Sequence, residues 1–205
     1  MCNRYRNDLR KLENWGSDDQ FSETRINPFR GRVSEEMYPD RVGLTGRLDS
    51  RGGLVLDAMR WGFPPVQGRV VTNVRHPDKP FWRPWLGAEW RCLVFVSEFA
   101  EWSPGPPKGD RWFHMESGEP FAFAGIWRPW HGTRGPKSAP ETGDHRLFAF
   151  LTTEPNAVVA PIHPKAMPVI LDRADWDQWL TGSVEEALEL QRPEAAGPSA
   201  IALAD

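Results

Sequence analysis

Four runs in the middle of the chain, Arg91–Ser97, Arg111–Met115, Pro120–Trp127 and Arg146–Thr152, are dense in β-branched and aromatic residues and are separated by turns rich in glycine and proline. Such side chains fit a pleated, half-buried surface, and such turns interrupt helices, so this stretch is restricted to strands. Their spacing predicts an antiparallel sheet. Leu54–Trp61 alternates between Gly52-Gly53 and Gly62-Phe63-Pro64-Pro65 and adds another strand, and a shorter one follows at Arg69–Thr72. Helices are expected only at the margins: Asn7–Trp15, Phe81–Trp90 with Trp82, Trp85 and Leu86 at helical offsets, Ala174–Leu180, and Val184–Gln191. Ser17–Arg32, Ser103–Gly109 and His131–Asp144 read as loops. From Pro193 onward an Ala/Pro/Gly-rich tail reads as frayed. The 205 residues suit one domain, 1–205, with a sizeable core.

Chemically, the most informative residue is Cys2. Removal of Met1 would leave an α-amine and a thiol on one terminal residue, a 1,2-aminothiol. An aldehyde can form an imine with that amine and then accept sulfur at the same carbon, closing a five-membered thiazolidine. The amine and the thiol ordinarily titrate near pH ~8 and ~8.5, within reach of neutrality. The other cysteine, Cys92, lies in the apolar run Arg91–Val96 and reads as an inert core residue. Two cysteines make no disulfide framework, no apolar run is long enough to span a bilayer, and the first residues lack the apolar segment of a secretory signal. A cytoplasmic location is the expectation. The five histidines are scattered, and neither Cys-x-x-Cys nor His-Glu-x-x-His occurs, so neither metal nor cofactor is called for.

The net charge of -3 does not advertise nucleic-acid binding, but arginine outnumbers lysine 20 to 5, which favours bidentate contacts with phosphate or carboxylate. Eleven tryptophans provide core volume and faces for stacking. Taken singly, most such arginines are solvated and most such tryptophans are packed inside. Several polar residues interrupt the core pattern. Asn73 and Arg75 follow a strand and would share a side if it continued, an amide beside a guanidinium. Glu101 ends an apolar strand beside Trp102, where a carboxyl tends to hold its proton. His163, in Pro161-Ile162-His163-Pro164, is held by stiff backbone just before a buried strand and can exchange protons near neutrality.

Met1-Cys2-Asn3-Arg4-Tyr5, Trp61-Gly62-Phe63, Asn73-Val74-Arg75, Arg91–Val96 with Glu101-Trp102, Phe123–Trp127, Leu151-Thr152-Thr153, and Ile162-His163 followed by Met167–Leu171 together resemble, in order and spacing, the SRAP (SOS response-associated peptidase) family, whose members process abasic sites in DNA. The resemblance covers nearly the whole chain. It implies an α+β fold with a β-rich, barrel-like antiparallel core, flanking helices and a positively charged groove for single-stranded DNA. It also implies roles. Cys2 would bond the ring-opened aldehyde of an abasic sugar, Asn73 would hydrogen-bond the adduct, and Glu101 and His163 would move protons during crosslinking, lyase cleavage and reversal. Arg4, Arg75, Trp102 and Thr152 would line the DNA groove. The chain departs from the family pattern at Asn3, Val74 and His76-Pro77, and its segment after Pro65 lacks the paired tryptophans with which some members wedge bases apart. The expected partner is single-stranded DNA carrying abasic sites, met by a monomer that joins the nucleoid when engaged. Two rival readings use the same features: an N-terminal-nucleophile cysteine peptidase or amidohydrolase, and a non-catalytic single-strand-binding module.

Overall fold

In the computed structural model, which describes residues 2–15, 23–66, 69–193 and 200–204, the strands are β1 (Arg4–Arg6), β2 (Glu36–Met37), β3 (Val42–Leu48), β4 (Leu54–Trp61), β5 (Phe63–Val66), β6 (Arg69–Val71), β7 (Asn73–Val74), β8 (Arg91–Val96), β9 (Glu98–Ser103), β10 (Gly109–Met115), β11 (Phe121–Arg134), β12 (Glu141–Thr153), β13 (Met167–Pro168), β14 (Ile170–Leu171) and β15 (Ile201–Leu203). Short helices α1 (Leu9–Glu13), α2 (Glu23–Ile26), α3 (Trp176–Thr181) and α4 (Val184–Glu189) flank them. No helix among the described residues is long and apolar enough to cross a membrane.

Strand pairing closes a ring. β4 pairs with β3, β3 with β8, β8 with β11 and β11 with β12, all antiparallel, and β12 returns to β4 in parallel. A second sheet runs β15-β10-β9-β1-β2. The architecture is therefore the α+β, barrel-like one, with two parallel pairings, β12–β4 and β12–β7, inside an otherwise antiparallel scheme.

Alternation along the ring strands sorts their side chains into two sets. Met59, Trp61, Cys92, Val94, Phe123, Phe148 and Phe150 join an aromatic core with Tyr5, Phe99 and Phe113 of the second sheet. Leu44, Leu93, Phe95, Ala124, Ile126, Leu147 and Ala149 pack with Leu9, Leu12, Trp176, Trp179 and Leu180 of the helices. A five-stranded ring encloses side chains but no helix, so the helix-facing set lies outside and the aromatic set within. Burial on both faces is why β8, buried at every position, reads as a continuous apolar run and not as an alternating one. Trp179 donates to the Cys92 carbonyl at 3.0 Å, and the buried Arg91 guanidinium donates to the carbonyls at the end of α3, which fastens the helical pair to β8. Ser183 and Glu186 form a capping box that starts α4.

Four expectations are corrected. Phe81–Trp90 is not an α-helix but two 3₁₀ turns, Arg83–Trp85 and Ala88–Trp90. Pro84 supplies no donor, and Gly87 between them is extended, with ψ 154°. His131–Asp144 is not a loop but the end of the β11–β12 hairpin, in register from His131↔Asp144 to Arg134↔Glu141. Its polar side chains pair across the strands, Thr133 with Thr142 and His131 with Asp144, each at 2.8 Å, so ladder bonds hold the ribbon without an apolar face. Ser17–Arg32 contains α2 and a 3₁₀ turn at Asn27–Phe29, with residues 16–22 outside the described set. The tail is not frayed throughout: β15 pairs with β10, and Ile201 is only 2% exposed in the aromatic core. Residues 194–199 and 205 lie outside the described set.

Gly125 marks a close approach in the interior. A Cβ there would lie 2.7 Å from both Cys92 Sγ and Val94 Cγ2. Gly125→Val should therefore cost about 1–3 kcal/mol by overpacking, visible as a lower midpoint in urea unfolding with an unchanged slope.

Candidate active site

The terminal strand β1 lies between β2 and β9, with Tyr5 opposite Met37 on one side and Phe99 on the other. Tyr5 is fully buried, and its ring meets Trp61, Phe123 and Phe150 edge-on at 5.2, 6.0 and 6.3 Å between centroids. This aromatic anchor holds the start of the chain against the barrel. Cys2 is buried, its thiol 3.4 Å from the Arg4 carbonyl. Asn73 on β7, level with Phe150 of β12, donates from Nδ2 to the Cys2 carbonyl at 3.1 Å and to Thr72 Oγ1 at 2.8 Å. Its Oδ1 has no hydrogen-bond partner among the described residues.

Glu101 follows from strand alternation. Phe99 and Glu101 point to the core side of β9, whereas Trp102 points outward and is 59% exposed. The Glu101 carboxyl, 3% exposed, is pushed up to about 7 by burial, with the negative charge of Asp110 adding to the effect. Burial, reinforced by the charge of Glu101, holds the Cys2 thiol well above its ordinary value, so the thiol stays protonated. In the turn before β13, His163 Nδ1 lies 2.8 Å from the Ala166 carbonyl, which only accepts. The Ala166 amide also approaches Nδ1, at a longer 3.3 Å, so the shorter contact to the carbonyl favours the tautomer with the proton on Nδ1 and the basic lone pair on Nε2. Burial, aided by the charge of Lys165, moves this imidazole below its ordinary value, so it is neutral at neutral pH.

Arg4, Glu101, Trp102 and His163 line one cavity of about 480 Å³, together with Asn3, Asp110 and Lys165. Cys2 and Asn73 sit behind its wall, joined to each other by the Asn73 hydrogen bond. Arg75 and Thr152 are not part of this wall. β7 ends at Val74, and Arg75 pairs with Glu154 at 2.9 Å. Thr152 is 0% exposed inside β12, and its carbonyl accepts from Gln191 at 2.9 Å. Nor is the cavity strongly positive, because Arg4 and Lys165 face Glu101 and Asp110. Asp110 and Lys165 were not expected from the sequence. Asp110 follows a Gly/Pro-rich loop and reaches the site only because β10 pairs it with Trp102, a register that no local pattern announces. Among the described residues no group of three or more His, Cys, Asp or Glu is placed to hold a metal ion.

The sequence matches the family described as SOS response associated peptidase (SRAP) over residues 1–201. The chain belongs to the SRAP family. Three solved structures share its fold. A protein of Bordetella bronchiseptica is 16% identical over 100% of both chains with a TM-score of 0.73. One from Bacteroides thetaiotaomicron is 18% identical, covering 98% of this chain and 91% of the other, at 0.70. A phage-related protein from Bordetella bronchiseptica is 19% identical, covering 93% and 87%, at 0.62. No curated protein matches the sequence significantly. In this SRAP chain the site therefore rests on its own geometry.

The raised carboxyl has a consequence for stability. The folded protein keeps a proton on Glu101 that the unfolded chain releases at the ordinary value of 4.5, so the contribution is present at low pH and is lost as pH rises through about 7. Urea unfolding at pH 5 and pH 8 should show wild type losing more stability than Glu101→Gln, by on the order of 2 kcal/mol at most. Equal losses would place the carboxyl in a solvated environment.

Proposed function

We propose that this protein crosslinks to abasic sites in single-stranded DNA through Cys2 once Met1 is removed. The observation that carries the reading is the convergence of four residues far apart in sequence beside the chain terminus, with Glu101 and His163 lining one cavity and Cys2, held by Asn73, behind its wall. The α-amine of Cys2 adds to C1′ of the ring-opened sugar and gives a carbinolamine. Glu101, with its proton held to about pH 7, protonates the departing hydroxyl, which leaves as water, and an imine forms. Sγ then bonds to C1′ while the thiol proton passes to nitrogen, which completes the thiazolidine with net loss of one water. A thiol held protonated by burial supports this order, in which the amine attacks first and sulfur follows.

Asn73 fixes the carbonyl of the reacting residue, so amine and thiol present one geometry. Neutral His163 is suited to take a proton at Nε2. From the imine it can remove the C2′ proton, which expels the 3′ phosphate and cleaves the strand, or it can receive the proton released during reversal. Trp102, largely exposed at the cavity edge, offers a face for a neighbouring base. The rival peptidase chemistry needs a thiolate nucleophile, which the same burial disfavours.

The test is a denaturing gel of purified protein, with Met1 removal checked by intact mass, after mixing with a single-stranded oligonucleotide carrying one abasic site. A slower band is expected that requires both the lesion and Cys2 and is absent with Cys2→Ala or an undamaged strand. Glu101→Gln should form it about 100-fold more slowly while binding undamaged DNA like wild type. No slower band from fully processed protein would reject crosslinking and bring the amidohydrolase reading forward.

A further inference from the structure

Arg4 is the residue at this site best suited to a strand phosphate, and its guanidinium is already occupied. Nε donates to Glu36 Oε1 at 3.1 Å, Nη2 pairs with the same carboxylate, and Nη1 pairs with Asp110. The guanidinium lies 5.1 Å from the ring centroids of both Tyr38 and Trp112. Burial alone would lower the Arg4 pKa, but the hydrogen bonds to Glu36 and Asp110 outweigh it and raise it, while Arg4 holds Glu36 below the ordinary carboxylate range. β-pairing sets the layout. Arg4 and Trp112 both lie opposite Ala100, and Trp102 lies opposite Asp110, so all four project from one face of the second sheet.

We infer that Asp110 is an internal competitor for the anion site at Arg4 and thereby determines how well the protein rejects undamaged single strands. The inference rests on the reading above, that a DNA strand lies at this cavity. A phosphate reaching Arg4 must displace the Asp110 carboxylate, which exchanges one charge-assisted contact for another and leaves a carboxylate beside the strand. Both side chains are partly exposed, 29% for Arg4 and 28% for Asp110, so the exchange requires no unfolding. Asp110 is the member that yields, because Glu36 is also approached by Arg6 at 3.7 Å and by the charge of Arg41, whereas Asp110 sits on the cavity wall beside Trp102. A strand with only phosphates to offer gains little from this exchange. A strand with an aldehyde gains a covalent bond, and its retention no longer depends on Arg4.

The test is fluorescence anisotropy with an undamaged, labelled single-stranded oligonucleotide across a salt series, using wild type, Asp110→Asn, Arg4→Gln and the double variant. Asp110→Asn should bind several-fold more tightly, with a log-log salt slope steeper by ~0.7, the value for one added phosphate contact on a single strand. The gain should vanish in the Arg4→Gln background. Unchanged or weaker binding by Asp110→Asn overturns the inference, as does an equal gain without Arg4, which would be a general charge effect. Should Arg4→Gln fail to melt cooperatively, Glu116→Gln takes its place, removing the same charge from the exposed position just after β10 and outside the cavity, and must produce no such gain. The abasic crosslinking gel on the same samples separates the two claims. A covalent band without the Asp110→Asn gain removes only the competitor, whereas a gain without any covalent band removes only the crosslinking reaction.

Discussion

Closure of the strand ring is the constraint on which the rest of the molecule depends. Once β12 returns to β4, each side chain of the five strands is committed to the inside or the outside, because a slip of one residue would exchange the two sets. Inside, Trp61, Phe123, Phe148 and Phe150 meet Tyr5 and Phe99. Outside, Leu93, Phe95 and Leu147 meet the helices. The long β11–β12 ladder makes this commitment firm, and Gly125 within it gives the Cys92 sulfur and the Val94 side chain the room they need.

The site inherits its precision from that closure. Tyr5 is gripped by interior rings, so β1 cannot slide, and the residue three places earlier is delivered to the place where β7 presents Asn73. Glu101 is buried because it continues the inward-facing series of Phe99 and Phe113 to the end of the sheet. Its raised pKa is thus a result of strand alternation that extends one residue beyond the apolar core.

Much of this was legible in the chain. Leu54–Trp61 was readable from its alternation, and the apolar part of β8 because burial on both faces demands unbroken apolar sequence. Asn73, Glu101 and His163 stood out because each breaks a core pattern, and Cys2 stood out because it pairs a thiol with the terminal amine that loss of Met1 would free. The hairpin end at His131–Asp144 was not legible, since hydrogen bonds between backbones hold polar residues in register without leaving a compositional mark. β15 escaped for a different reason: a three-residue strand takes its stability from the partner it reaches, and Ile201 looks like any tail residue until Met115 lies opposite it. Asp110 and Glu36 were invisible as partners of Arg4 because the contact is made by register between distant strands.

The buried, protonated thiol of Cys2 also bears on the protein's durability. Peroxides and alkylating agents attack thiolate, so a sulfur kept neutral and enclosed reacts slowly with them. In the proposed reaction a carbonyl compound approaches through the amine instead and brings the sulfur into reaction only after an imine has formed next to it. On the proposed reading, the enclosure that slows the thiol therefore discriminates between electrophiles, disfavouring oxidants that need a thiolate over an aldehyde that enters through the amine.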